Sequence, residues 1–272
     1  ENERGERIEG ATLTLYQTKV SRTGSAMEPL VPEMEVLTWK TKAEEDKKLM
    51  LPPGAYRLEE TEAPEGYRTA ESISFYIDYD YNLLIVTEDE EGNTIDTKQT
   101  DIDGNPIRII TMTDEPQAGT IVIKKTEAGR NNPLEGAAFT VTGTSPVSGD
   151  VSLSGTTDAS GVITIGHIPY SGDNWYTISE TVVPAGYAKA SDQFIKVDSS
   201  GFVYAVDASG NPVEGQAPAA SRELSFEDDK TDVVGELNIK KINTKSSERL
   251  AGAVFTLTRI KDGAGLDASG TY

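Results

Sequence analysis

Two strand-like segments of this chain each end an apolar row on a glutamate and then enter the same proline–glycine–tyrosine turn. They are YRLEETEAPEGY, ending at Tyr67, and YTISETVVPAGY, ending at Tyr187. Side chains at alternate positions of a strand share a face. Tyr56, Leu58 and Glu60 therefore point one way, as do Tyr176, Ile178 and Glu180. A lone carboxylate closing a core-facing row is costly to bury unless something in the core answers it. The duplicated glutamate thus constrains fold and chemistry together.

The duplication extends further. A second motif occurs as IEGATLTL from Ile8, LEGAAFTV from Leu134 and LAGAVFTL from Leu250. Matching strands, GTIVIKKT from Gly119 and GELNIKKI from Gly235, precede the last two copies. Each repeat has the size of one β-sandwich domain. Runs rich in Val, Ile, Thr, Tyr and Phe alternate with turns of Gly, Asp, Asn and Pro, and no long stretch keeps a helical apolar period. The reading is an all-β chain of tandem sandwiches: residues 1–116 lacking a first strand, residues 117–231 complete, and residues 232–272 holding the first two strands of a third unit. It reads as a piece cut from a longer array. DASG at Asp158, Asp207 and Asp267, and DSSG at Asp198, read as hairpin turns, because Asp bonds the backbone ahead while Gly takes positive φ. Asp101, Asp103 and Asn105 could group oxygens for a hard cation, but the spacing of Gly104 suits a hairpin turn better, and no metal site is expected.

The formal net charge of −20 argues against nucleic acid as a partner. No apolar run approaches a membrane span, and neither a signal peptide nor an anchor signal is evident. With no cysteine, disulfides cannot staple these domains. A conventional enzyme is poorly supported. The single histidine, His167, reads as a turn residue; Glu59 and Glu60 face opposite sides of one strand; Trp39 and Trp175 read as core. No cofactor is expected.

The same period-two test finds two more inward charges in the complete unit. Ile121, Ile123 and Lys125 share a face, as do Leu224, Phe226 and Asp228. Leu237, Ile239 and Lys241 repeat the first row; Ile110, Met112 and Asp114 repeat the second. Three readings are open. The charges reach water at the sheet rim; they form a buried ionic cluster of little net stability; or they react. Burial favours the neutral forms of an amine and an acid. A neutral Lys125 amine is a nucleophile, and a protonated Glu180 can polarise the Asp228 carboxyl and shuttle protons. Attack would expel water and leave an amide between two side chains, with positioning worth effective molarities of about 10⁵–10⁸ M.

Taken together, these residues resemble the CnaB-type (collagen-adhesin B-region) repeats of Gram-positive surface adhesins and pilins. The marks are Lys125 near the end of a first strand, LEGAAF at Leu134, the box around Glu180, and Asp228 on the last strand. The box is fullest in the first unit, LPPGAYRLEETEAPEGY, and looser in the second, where Val183 replaces the usual Ala. The resemblance implies CnaB/Ig-like (prealbumin-like) sandwiches, with Lys125 and Asp228 joined by an isopeptide bond under catalysis by Glu180. Glu60 and Asp114 match the catalyst and acceptor of the first unit, whose lysine is not identified: Lys19, Lys40 and Lys98 lie on no first-strand-like segment. Either the missing strand lies upstream in a longer parent protein, which is the simpler reading, or another chain provides it: Lys241 has the right strand and no partner within this chain, so it could complement a neighbour by strand addition. The implied role is a stalk repeat of a cell-wall-anchored, extracellular protein, anchored through a region outside this chain, whose partners are other domains of the same surface protein. The alternative is an adhesin module that binds host matrix protein or glycan through loops such as the acidic segment from Asn82 to Pro106.

Overall fold

The computed structural model describes residues 1–2, 4–23, 26–88, 90–91, 94–231 and 238–256, and the only regular secondary structure among them is strand. The first sheet contains β1 (Thr12–Thr23), β2 (Ala26–Lys40), β3 (Gly54–Glu62), β4 (Ile73–Ile77), β5 (Leu83–Glu88) and β6 (Thr94–Lys98). Its spatial order is β2-β1-β3-β4-β5-β6, every pair antiparallel. Alternation decides which face is buried: Leu13 and Leu15 of β1, Tyr56 and Leu58 of β3 and Phe75 of β4 form its core, with Trp39, Ile110 and Met112 packed against them. The acidic segment after Asn82 is the β5–β6 hairpin, though Asp89, Gly92 and Asn93 of its EDEEGN run lie outside the described residues.

The next strands are β7 (Ala118–Glu127), β8 (Ala138–Ser145), β9 (Gly149–Thr156), β10 (Val162–Pro169), β11 (Tyr176–Val182), β12 (Gln193–Val197), β13 (Val203–Val206) and β14 (Ser221–Asp228). They build two sheets, β10-β7-β14 and β13-β12-β11-β8-β9. The five-stranded sheet repeats the order β5-β4-β3-β1-β2 of the first. Ile121, Ile123 and Phe226 of the three-stranded sheet and Phe139, Ile178 and Ile195 of the other share one hydrophobic core. Within the small sheet β7 is central, antiparallel to β10 and parallel to β14.

The first sandwich has no counterpart of that small sheet among its described residues. Ile110, Met112 and Asp114, expected on a last strand, lie in an irregular segment. The reason is pairing: β7 is the strand to which both β10 and β14 bond, so without a central strand neither neighbour has a ladder. His167 also differs from expectation. It lies within β10 at a register irregularity between Ile165 and Ile168, with φ of +57°, so it marks a bulge.

Residues 1–231 form one compact unit and residues 232–272 another. In the first unit the proline–glycine–tyrosine turn joins the two sandwiches. The Gln117 amide donates to the Gly66 carbonyl at 2.7 Å, and the Tyr170 hydroxyl donates to Glu65 Oε1 at 2.7 Å. Gly66 has φ of +84°, and a Cβ there would sit 2.2 Å from the Tyr170 ring, so only glycine fits. In the second unit, residues 232–237 and 257–272, including Gly235, Leu237 and Asp267, lie outside the described residues. Residues 238–256, expected as strand, show only an isolated bridge between Ile242 and Arg249, and Ile239 and Lys241 are exposed. A strand requires a neighbour for its backbone groups, and the described part of this unit offers none.

Candidate functional site

Three of the predicted residues meet inside the second sandwich. Along β7 the burial alternates, carrying Ile121, Ile123 and Lys125 inward; β14 turns Leu224, Phe226 and Asp228 the same way. The parallel register sets Phe226 opposite Lys125 and Asp228 opposite Glu127, which aims the Asp228 carboxyl back at the lysine. From the facing sheet, β11 points Tyr176, Ile178 and Glu180 into the same core. Lys125 and Asp228 have no exposed surface, and Glu180 is 2% exposed.

Lys125 Nζ bonds Asp228 Oδ1 directly and reaches Glu180 Oε2 at 3.1 Å. The Phe139 ring lies 5.8 Å from the same nitrogen and packs against Phe226, so the amine has apolar walls. Two backbone bonds fix the lysine: its amide donates to the Gly161 carbonyl, and its own carbonyl accepts from Leu134. Glu180 Oε2 also accepts from the Ala190 amide at 3.1 Å. Burial pushes the Glu180 carboxyl above the usual range, against the opposing pull of the Ala190 amide and Lys125. Glu180 Oε1 and Asp228 Oδ2 are buried without a hydrogen-bond partner. Two orphaned acid oxygens beside an amine are expensive in a dry site, and transferring a proton or losing an oxygen relieves the cost.

Glu60 and Asp114 occupy the matching position in the first sandwich, 2% and 3% exposed. Glu60 Oε2 accepts from the Ala70 amide at 2.6 Å, as Glu180 does from Ala190, and Glu60 Oε1 is buried without a partner. No lysine bonds either carboxyl among the described residues. Lys40 pairs with Glu62 at 3.6 Å, and the side chain of Lys19 lies outside the described residues. Sequence reasoning did not single out Ala70 and Ala190, or Phe139. The two alanines stand at the same offset behind each glutamate, the one signal that marks them.

Burial raises both Glu60 and Asp114, and the charge of Asp114 adds to the rise at Glu60. Raised acids stabilise the fold fully below the unfolded carboxylate range, about 4, and that contribution is lost as pH climbs through their folded values. The urea midpoint of the first sandwich, followed through Trp39 fluorescence in a Trp175→Phe background, is therefore expected to fall between pH 4 and pH 7. Glu60→Gln should flatten that slope; an equal slope in the variant would show that other groups cause it.

The remaining candidates resolve simply. Asp101 Oδ1 accepts from the Asp103 and Asn105 amides, and Oδ2 from Asn105 Nδ2, so the turn uses its oxygens. No metal-binding cluster occurs among the described residues. Trp39 is packed on its core, whereas Trp175 is 36% exposed.

A family model described as the SpaA prealbumin-like fold domain matches residues 1–91 and 119–212. No curated protein matches. Among solved structures, the chain is similar to the pilus adhesin SpaC from Lactobacillus rhamnosus GG in its open conformation, with 18% identity and a TM-score of 0.38, over 83% of this chain and 30% of that one. A C-terminal fragment of the same adhesin matches at 18% identity and a TM-score of 0.40, over 86% and 97% of the two chains. The shaft pilin SpaA from the same organism matches at 15% identity and a TM-score of 0.31, over 84% and 87%. The chain thus spans about 30% of the length of that adhesin chain.

Proposed function

The chain belongs to the SpaA prealbumin-like fold domain family, and from that premise we propose that it is a run of stalk repeats from a bacterial surface adhesin or pilus protein. Its second sandwich is closed by an autocatalytic amide between Lys125 and Asp228. The observation that carries the reading is the contact of a fully buried lysine amine with a fully buried aspartate, with Glu180 touching the same amine.

The chemistry runs once. Glu180, its carboxyl pushed up by burial, lends its proton to the Asp228 carboxyl while the Lys125 amine attacks Cγ through its lone pair. The C–N bond forms, the C–OH bond breaks, and a proton from the amine restores Glu180 as water leaves. The orphaned oxygens support this course, because the product holds one acid oxygen fewer. The apolar walls from Phe139 and Phe226 disfavour the reverse hydrolysis. A merely ionic cluster would retain every unsatisfied oxygen and contribute little. Glu60 and Asp114 are the matching catalyst and acceptor of the first sandwich.

The bond replaces the disulfides that a cysteine-free chain lacks, which suits a protein that works outside the cell. Partners are neighbouring domains of the same surface protein or adjoining pilus subunits. Intact-mass spectrometry tests the claim: the folded chain is expected to weigh one water less than its sequence. Lys125→Ala and Glu180→Ala should restore the full sequence mass. A folded wild-type chain at its full sequence mass would remove the amide.

A further inference from the structure

The amide chemistry uses the glutamate of each repeated box and leaves its proline–glycine–tyrosine turn unexplained. In the second sandwich that turn touches the end of each strand that carries a reacting residue. The Tyr187 amide donates to the Pro184 carbonyl at 3.2 Å, which closes the turn, and Gly186 takes φ of +87°. Just past the acceptor, the Thr231 amide donates to the Gly186 carbonyl, and the Ala188 amide donates to the Asp229 carbonyl, both at 2.8 Å. The Tyr187 hydroxyl donates at 3.4 Å to Glu127, two residues beyond Lys125 on β7. The chain then returns the Ala190 amide to Glu180 Oε2 at 3.1 Å. The first sandwich repeats this path: Tyr67 donates to Pro64, Arg68 to Glu115, Gln117 to Gly66, and Ala70 to Glu60 Oε2. Between the copies Glu65 becomes Ala185 and Arg68 becomes Ala188, whereas the proline, glycine, tyrosine and final alanine are the same.

The bonds also divide the work of the two glutamate oxygens. Both donors that reach Glu180, the Ala190 amide and Lys125 Nζ, fall on Oε2, while Oε1 is buried with no partner. Glu60 is divided in the same way, with Oε2 on the Ala70 amide and Oε1 orphaned. A protonated carboxyl carries one O–H and accepts through its other oxygen. A proton on Oε2 would face the Ala190 N–H, which can only donate, so the acid proton belongs on Oε1.

We propose that residues 184–190 are the positioning element of the amide-forming site, with the Ala190 amide as its working contact. By holding Oε2 as an acceptor, the amide orients the carboxyl and leaves Oε1 to lend the proton. Ala190 acts through Glu180 and takes no part in bond making. The inference rests on the amide reading of the second sandwich and deepens it.

The same contact sets a pH dependence. Facing Glu180 are Lys125 from β7 and Asp228 from β14, with the uncharged Phe139 opposite it on β8. The Ala190 amide opposes the rise that burial imposes on the Glu180 carboxyl. Without that donor the acid keeps its proton to higher pH, so the alkaline limb of the rate moves up while the rate itself drops.

The test uses the full chain made by cell-free translation and transferred to buffers from acid to alkaline, with water loss followed by intact mass. Ala190→Pro removes the N–H and is expected to slow amide formation roughly 10–100-fold, as a misplaced reacting group does, with the alkaline limb moved up. Ala190→Gly keeps the N–H and should react at the wild-type rate. Circular dichroism compares folding in a Lys125→Ala background, where neither protein can link. Should Ala190→Pro not fold, Gly186→Ala decides in its place. A side chain at that φ strains the turn, and no atom lies within 4 Å of the new Cβ, so the loosened turn should give the same slowing and shift. A wild-type rate in the folded variant, slowing by one factor at every pH, or equal slowing in Ala190→Gly overturns the positioning role. A wild-type chain that loses no water overturns the amide reading beneath it.

Discussion

Glu180→Gln is expected to lower the thermal midpoint of the second sandwich by roughly 15–25 °C, the consequence of losing the proposed cross-link, worth about 4.7 kcal/mol over a loop of about 100 residues. Lys125 and Asp228 are 103 apart in sequence, so nearly the whole sandwich would lie inside the loop that the proposed amide closes. Gln keeps the shape of the side chain and can accept from the Ala190 amide as Glu180 does, so the core stays packed. What it lacks is a proton to relay. Lys125 and Asp228 would then remain a buried ion pair that unfolding separates freely. Calorimetry of the two proteins, each with its mass verified, gives the comparison. A variant that regains one water in mass yet melts within a few degrees of wild type would show that the amide contributes no stability. The entropic account would then fail, although the chemistry would stand.

Much of this site was legible from alternation alone. A period of two placed Lys125, Glu180 and Asp228 at the inner ends of their rows, and the observed burial of β7, β11 and β14 follows that pattern. Alternation says which face a residue takes and nothing about which strand lies beside it. The parallel pairing of β7 with β14, which brings amine to acid, is a long-range choice with no local signature. The supports of Glu180 were hidden for a related reason, since an amide donor such as Ala190 carries no side-chain signal. Local pattern also overstated two segments. Residues 107–114 and 238–256 have strand-like composition, yet a strand exists only where a neighbour accepts its hydrogen bonds, and neither segment has a ladder beside it among the described residues. The sixth strand of the first sheet arose from an acidic stretch whose turn preferences were clear but whose pairing with β5 was not.

The parallel pairing has its largest consequence under load. With the proposed amide in place, a pulling force entering at Ala118 would run along β7 to Lys125, cross to Asp228, and leave the sandwich at the end of β14. Residues 126 to 227 lie outside that path. In single-molecule stretching, the wild-type second sandwich is therefore expected to release none of this loop before covalent bonds break. Glu180→Gln should show an added extension of about 340–370 Å, at roughly 3.3–3.6 Å for each residue freed. The unlinked variant should also yield readily, because once β7 slides from between β10 and β14 the small sheet loses its central strand. Antiparallel placement of the two terminal strands would have put the linked residues at opposite ends and left much of the fold under tension. The geometry that brings one amine to one acid is thus also the geometry that shields the sandwich. Equal extensions from wild type and variant would sever the link between this site and a load-bearing stalk.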